Sequence, residues 1–206
     1  MRIPESIKKF ADIFSELPGI GPRQAVRLAF YLVYKGGGIT EEAARAIKNL
    51  GEIKICKQCF FISTTEDLLC DICRDKNRNQ KVIAVVEKDT DLISLENTGK
   101  FNGRYLILGD LRRKGILESD QKLKLQALKD WIKTLPEGSS AGSGQAEEII
   151  IAVNPTSVGN LNATSIAEEL KPFTKKITRL GIGIPSGGEI EFADADTLGS
   201  ALERRG

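Results

Sequence analysis

The sequence predicts an α/β protein made of several parts, and three observations carry this prediction. From residue 82 onward, short apolar runs alternate with amphipathic stretches, which is typical of a mainly parallel sheet with helices on both faces. The first 50 residues instead hold amphipathic stretches separated by glycine-rich breaks, which predicts a helical region. Between the two regions lie all four cysteines, as two C-x-x-C pairs with ten residues between them.

The first two helices follow from the spacing of their apolar residues. Residues 4–16 carry apolar side chains at helical spacing, with Lys8 and Lys9 on the polar side. Residues 17–21 cannot continue a helix, and Pro22 suits the first position of a second one. The resulting helix, Gly-Ile-Gly, helix pattern resembles the helix-hairpin-helix motif of DNA-binding proteins.

The hairpin glycines have a physical role in that resemblance. Without a Cβ, a glycine can take a positive φ and let the backbone approach a phosphate, and the first N–H groups of the second helix are free donors. Such contacts do not read bases, so we expect sequence-independent DNA binding. The predicted DNA-contacting residues are Lys8, Lys9, Gly19, Gly21, Arg23 and Arg27. The alternative is a helical hairpin whose glycine turn serves packing alone.

A third helix is predicted over residues 40–50, after a glycine break at 36–38. Thr40 is its expected N-cap, with Glu41 and Glu42 in the first turn.

The cysteines Cys56, Cys59, Cys70 and Cys73 are predicted to hold one structural Zn²⁺. Two C-x-x-C turns supply four thiolates, which fill a tetrahedral zinc site and leave no open position for catalysis. The alternatives are two disulfides, or one redox dithiol beside an accidental pair. The sequence has no signal peptide and no apolar run of about 18 residues, so we expect a reducing cytosol and no membrane association, which favours zinc.

The second half of the chain predicts four strands and the helices that connect them. The predicted strands are 82–86, 104–108, 148–153 and 175–182, and the predicted helices are 89–97, 120–134 and 161–170. The polar stretch 74–80 is interpreted as a boundary, and residues 136–144 as a flexible surface loop. A Ser-Gly-Gly turn and a terminal helix that begins near Asp194 complete the chain. The predicted parts are 1–52, 53–79, 80–178 and 179–206.

Functional groups of such a sheet lie beyond the carboxyl ends of its strands. Here these groups are Glu87, Asp110 and Asn154. A glutamate that ends the first strand resembles the Toprim domain, in which an Asp-x-Asp pair on a later strand helps to hold Mg²⁺. This chain has Asn154 and Thr156 at the two aspartate positions, so it offers a poor magnesium site.

Charge and motifs limit the classes of function. Residues 1–50 carry eight basic and five acidic side chains and residues 100–133 nine and four, whereas residues 137–206 carry six and ten. A polyanion is therefore expected to meet the first half and the middle of the chain. The absence of a GxxxxGK[ST] sequence argues against ATP hydrolysis.

The order of these parts resembles the RecR family of bacterial recombination mediators. The segments that carry the resemblance are LPGIGPRQAVRLAF, the four cysteines with CDICRD, VVE at 85–87, VNPT at 153–156 and IPSGGEIEFADADTL. The chain departs from the family pattern in the loop 109–120 and in SVGNLNAT after VNPT.

The resemblance implies a non-catalytic protein that acts in DNA repair. It would bind DNA, act with RecO and RecF to load RecA at gaps, form a ring-like tetramer, and work in the cytoplasm at the nucleoid. Glu87, Asp110 and Asn154 would then mark a face that binds partners. Two alternatives are a Toprim-type Mg²⁺-dependent nuclease or primase accessory that uses Glu87 and Asp110, and a zinc scaffold that binds protein only.

Overall fold

The computed structural model describes residues 3–135 and 144–203. The chain forms two compact units, Met1–Ile53 and Lys54–Gly206. Apart from Gly144, the predicted surface loop 136–144 lies outside the described residues. Among the described helices, none is both long and apolar enough to cross a bilayer.

The first unit consists of three helices, α1 (Glu5–Ser15), α2 (Pro22–Lys35) and α3 (Gly37–Leu50). Helices α1 and α2 pack together and bury Ile7 and Ala11 of α1 with Ala25 and Ala29 of α2. Ile13, whose spacing also predicts a place on the apolar side of α1, is 56% exposed.

The predicted cap of α3 is wrong. The helix begins at Gly37, because Gly36 takes φ +87° and serves as the N-cap itself. Thr40 lies inside the helix, where its hydroxyl donates to the Gly36 carbonyl oxygen at 3.3 Å. The structure assigns no buried residue to α3.

The second unit is built on one parallel sheet. Its elements are β1 (Lys54–Ile55), β2 (Ile62–Ser63), α4 (Asp71–Arg74), β3 (Val82–Val86), α5 (Asp89–Asn97), β4 (Arg104–Ile107), α6 (Ser119–Lys133), β5 (Glu148–Ala152), α7 (Ser157–Leu170), β6 (Ile177–Arg179) and α8 (Ala195–Glu203). Strands β3 to β6 pair in the order β4-β3-β5-β6, and every pair is parallel. The mainly parallel sheet is therefore confirmed, although β6 is shorter than the predicted strand 175–182.

Helices cover both faces of this sheet, as predicted. On one face, Leu106 and Ile151 pack with Leu125 of α6 and Ile166 of α7 in one buried cluster. On the other face, strand residues pack with Leu92 of α5 in a second cluster. Alternate residues of the strands thus enter opposite clusters, as the pleat of a β-strand requires.

The cysteine element, residues 54–74, closes the β4 edge of the sheet. The Ile107 amide donates to the Cys59 carbonyl oxygen at 2.9 Å, so an edge donor of β4 is satisfied by this element. Phe60 packs on the first buried cluster and Phe61 on the second. The stretch 74–80 is also tied to the segment just before β4, because the Asn79 amide donates to the Asn102 carbonyl oxygen at 2.8 Å.

The C-terminal segment has a turn at 186–187, where Gly187 takes φ +85°. A 3-10 turn over Ile190–Phe192 follows, and α8 begins one residue after Asp194, whose Oδ1 accepts from the Thr197 amide at 2.9 Å. No strand follows β6 in the residues that the structure describes, so the apolar run after the turn is not extended.

Candidate metal centre and nucleic-acid interface

The structure brings the four cysteine sulfurs together. The Sγ atoms of Cys56, Cys59, Cys70 and Cys73 all lie within 4.8 Å of one another, and all four side chains are buried free thiols. A zinc ion about 2.3 Å from each of four tetrahedral sulfurs would hold them roughly 3.8 Å apart. The spacing, the number of ligands and their softness therefore fit one four-coordinate metal ion such as zinc.

Local backbone geometry aims these sulfurs at one point. Phe60 follows Cys59 with φ +65°, a left-handed turn that folds the first pair back on itself, and its amide donates to the Cys56 carbonyl oxygen at 3.0 Å. The Phe61 amide donates to Cys59 Sγ at 3.4 Å, which stabilises a thiolate there. Cys70 stands at the N-cap of α4, and this one-turn helix carries Cys73 back to the cluster.

Without a cation, the four sulfurs cannot all ionise. The neighbouring Cys59 sulfur lowers the pKa of Cys56, and the neighbouring Cys56 sulfur raises the pKa of Cys59, because sulfurs this close do not all carry a negative charge. Burial disfavours each further negative charge in such a cluster. A bound divalent cation removes this conflict, because it lets every sulfur serve as a thiolate ligand.

In the first unit, the two hairpin glycines differ in conformation. Gly19 takes φ +81°, as the sequence predicts. Gly21 takes φ −82° and ψ 167°, the extended backbone that suits the N-cap of α2, so of the two glycines Gly19 alone uses the positive φ that the residue type permits. Around both residues the space where a Cβ would stand is open to 4 Å.

The N-terminus of α2 is open toward solvent. Gly21 provides no side-chain cap, and Pro22 at the first helical position has no N–H to satisfy. Arg23 and Arg27 are both exposed and stand four residues apart, on one side of the first two turns. Uncapped N–H groups, a positive dipole end and two nearby guanidinium groups form a surface suited to phosphate.

The predicted lysines lie on α1, and both are exposed. Lys8 Nζ stands 4.0 Å from Glu5 Oε2, an exposed pair that leaves the ammonium group accessible. Lys8 and Lys9 thus add positive charge to the first unit, while the hairpin supplies the oriented donors.

A cleft of about 800 Å³ lies at the carboxyl ends of β3 and β4, with an apolar wall from the cysteine element. Its lining includes three cysteine-element residues and six charged ones: Ile55, Phe60, Ile62, Glu87, Lys88, Asp89, Asp110, Asp120 and Lys124. Lys88 Nζ lies 3.4 Å from Asp110 Oδ1, and Lys124 Nζ lies 2.8 Å from Asp120 Oδ2. The hydrogen bond from Lys88 holds the pKa of Asp110 below its usual range.

Glu87 has a different environment from Asp110. It is 7% exposed, and its Oε1 accepts from the backbone amide of Asn154 at 2.7 Å. Glu87 and Asn154 therefore meet, but through a hydrogen bond from the Asn154 amide to the Glu87 carboxylate at the ends of β5 and β3, and Asp110 is paired with Lys88. With one carboxylate occupied in this way and the other facing an ammonium group, the cleft is poorly suited to Mg²⁺.

Comparison with known proteins agrees with this geometry. A sequence model of the Toprim domain matches residues 81–181, and a model described as RecR, C-terminal matches residues 183–205. A Recombination protein RecR of Thermus thermophilus is 39% identical over 207 residues, which cover 100% of this chain and 98% of that protein. The chain belongs to the RecR family.

Other relatives in this family match over their full length as well. The Recombination protein RecR of Herpetosiphon aurantiacus is 38% identical over 205 residues, covering 98% of this chain and 94% of the relative. That of Myxococcus xanthus is 35% identical over 203 residues, covering 98% of both chains.

Sequence reasoning missed the two arginines that tie the cysteine element of this RecR-family chain, and the residues just after it, to α5 and β4. Arg78 donates through both terminal nitrogens to the Glu96 carboxylate, and the Tyr105 hydroxyl donates to Glu96 Oε1 at 2.7 Å. Arg104 is buried at the start of β4 and donates to the carbonyl oxygens of Ile72, in the cysteine element, and of Asp75, which follows that element. A charged residue at the head of an apolar strand was the available signal for Arg104.

Proposed function

We propose that this chain is a non-catalytic mediator of recombinational DNA repair that binds DNA without regard to sequence. It would act with RecO and RecF at gaps in bacterial cytoplasmic DNA, at the nucleoid, and help to load RecA. The observation that supports this most directly is the open N-terminus of α2, where Gly21 provides no cap and Arg23 and Arg27 are exposed. Membership of the family of recombination proteins gives that surface its context.

The four cysteines would hold one structural Zn²⁺. Their mutual distances of at most 4.8 Å, their burial and their thiol chemistry support this assignment. Because all four ligands come from the protein, zinc would stabilise the cysteine element and take no part in a reaction. We expect about one zinc per chain by elemental analysis of freshly purified, reduced protein, and Cys73→Ser should release it.

We further propose a closed homo-oligomer, a tetrameric ring. Apolar side chains are strongly exposed on both units, including Tyr34 at 85% in the first and Phe192 at 79% in the second. Contacts between copies would bury such side chains. One hairpin makes only a few phosphate contacts, so several hairpins around one opening would raise avidity by about 10²- to 10⁴-fold.

The cleft beside β3 and β4 would serve as a partner surface for RecO or RecF. Glu87 and Asn154 would hold its floor in shape, while exposed Asp110 and the loop 109–120 would provide contacts. An apolar wall facing paired charges supports protein recognition more than catalysis. Accordingly, we expect no Mg²⁺-dependent DNA cleavage; cleavage that disappears in Glu87→Ala would overturn the non-enzymatic assignment.

The DNA site is tested by the salt dependence of binding. Arg23→Ala and Arg27→Ala should each weaken binding on every DNA sequence and flatten the slope of log K against log salt by roughly one. Arg45→Ala is the matched control, because Arg45 is an exposed arginine of α3 in the same unit. Changing Lys8 and Lys9 together to Ala should weaken binding further.

The opposite pattern would relocate the site. If binding is unchanged in all of these variants and is abolished by reversing the charges of Arg112 and Arg113, DNA is bound by the second unit. Circular dichroism of each variant confirms that the helices of the first unit are retained.

A further inference from the structure

Arg104 is the one buried arginine in the part of the chain that the structure describes, and its surroundings are unusual. The residue is 2% exposed, and its side chain extends from the first residue of β4 to the cysteine element. Its Nη1 donates to the Ile72 carbonyl oxygen, and its Nη2 donates to the Asp75 carbonyl oxygen at 2.6 Å. Its Nε is buried without a hydrogen-bond partner.

No carboxylate pairs with this guanidinium among the described residues. The nearby Arg78 shows the usual arrangement, because it is only partly buried and binds the Glu96 carboxylate through two nitrogens. A buried cation without an anion is costly, since carbonyl dipoles replace only part of its hydration. A nearby negative charge would therefore stabilise the buried guanidinium of Arg104, and no carboxylate among the described side chains provides one.

The two bonds of Arg104 lie on either side of a metal ligand. The Ile72 carbonyl belongs to the peptide that links Ile72 to Cys73, and Asp75 follows two residues after Cys73. A zinc ion with four thiolates carries a formal charge of −2, and all four sulfurs are buried. The positive charge of the guanidinium and the negative charge of the proposed zinc–thiolate group would thus offset each other in one buried region.

We propose that Arg104 is a positioning residue of the metal centre, which fixes the turn bearing Cys73 and offsets the negative charge of the zinc–thiolate group. This inference rests on the proposed zinc site. Side chains next to a metal's ligands commonly change its affinity by about 10- to 100-fold when they are removed. A simple capping role would differ, because it depends on the two carbonyl bonds and not on the charge.

Chelator competition on the full-length, zinc-loaded protein tests the proposal. Arg104→Gln keeps hydrogen-bond donors but loses the charge, and we expect zinc affinity to fall about 10- to 100-fold. Arg104→Lys keeps the charge but loses the planar fork that binds both carbonyl oxygens, so we expect a loss of zinc affinity that is smaller than that of Arg104→Gln and below about tenfold. Arg74→Gln is the matched control, since Arg74 belongs to the same short helix but is exposed and pairs with Asp67 at 2.7 Å.

The outcomes are distinct. Equal losses in Arg104→Gln and Arg104→Lys would show that the arginine only caps carbonyls, and unchanged affinity in Arg104→Gln would exclude any role toward the metal. Cobalt substitution checks, from its visible spectrum, that each variant retains four sulfur ligands. If Arg104→Gln does not fold, Arg104→Lys decides alone: a loss of about tenfold or more in folded protein contradicts the proposal. A wild-type protein that contains no zinc would refute the zinc assignment itself.

Discussion

Two single substitutions, Gly19→Ala and Gly21→Ala, should distinguish the contribution of the hairpin to protein stability from its contribution to DNA binding. Gly19 takes φ +81°, whereas Gly21 takes φ −82°, and neither position places a Cβ within 4 Å of another atom. Steric crowding is therefore equal at the two sites. The backbone conformation is the difference between them.

The expected effects on stability follow from this difference. An L-residue in the left-handed region costs about 1–2 kcal/mol, and alanine recovers about 0.4–1 kcal/mol by restricting the unfolded chain. Gly19→Ala should thus destabilise the protein by roughly 1 kcal/mol, or about 2–4 °C in Tm. At Gly21 the same entropic gain offsets the poorer capping of alanine, so the change should stay within about 0.5 kcal/mol.

The expected effects on DNA binding have the opposite order. At Gly21 a methyl group would stand at the open N-terminus of α2, where a phosphate would approach the N–H groups. Loss of one charge-assisted hydrogen bond costs about 1.5–3 kcal/mol, so Gly21→Ala should weaken binding at least about tenfold. Thermal unfolding and fluorescence anisotropy with generic single- and double-stranded DNA measure the two effects. Gly38→Ala, in α3 with open space around it, is the control for both.

Two results would refute this reasoning. If Gly21→Ala binds DNA as tightly as the wild type, phosphate does not occupy the N-terminus of α2. If Gly19→Ala is as stable as Gly21→Ala, the left-handed turn does not limit the hairpin.

Two further predictions concern the second unit. Gly159→Ala would place a Cβ 1.9 Å from the backbone oxygen of Asn154, so urea unfolding should show that the protein loses about 1–3 kcal/mol of stability. Gly199→Ala is the control, because the space around this residue of α8 is open, and it should leave stability unchanged or raise it. Equal effects of the two substitutions would contradict the close approach at Gly159. Burial alone would raise the pKa of Glu96, but hydrogen bonds from Arg78 and Tyr105 outweigh it and lower the pKa. The ionised Glu96 carboxylate therefore stabilises the fold above about pH 5, and this stabilisation is lost as the pH falls below about 4.3. The Glu96→Gln variant should therefore be less stable than the wild type at pH 7 and should lose less stability than the wild type between about pH 5 and pH 3. If the stability of the two proteins changes with pH in the same way, Glu96 does not have this role.

The elements that the sequence predicts well are those set by short-range patterns. The spacing of apolar residues places β3, α5 and α6 within one or two residues, and the two C-x-x-C pairs predict the sulfur cluster because each pair folds locally. The start of α3 was predicted wrongly, because a threonine followed by two glutamates is typical of a helix N-cap. In the structure Gly36 is the N-cap, so the helix begins three residues before Thr40.

The features that the sequence did not predict depend on distant contacts. Arg104 binds a carbonyl 32 residues earlier in the chain, and Glu87 binds an amide 67 residues later. Backbone partners have no residue-specific signature, so no pattern around either charge identifies them. Likewise, the proximity of Lys88 to Asp110 depends on the pairing of β3 with β4.

The position of the cysteine element at the β4 edge has a consequence for biosynthesis. A ribosome makes residues 56–73 before it makes β4 (Arg104–Ile107), so the sulfur ligands emerge ahead of the strand that they cover. A metal ion captured at that moment would be held by the cysteine element alone, without the Cys59–Ile107 bond. The bond that fastens this element to the sheet would form only after residue 107 leaves the exit tunnel, so metal binding would precede docking of the element on β4.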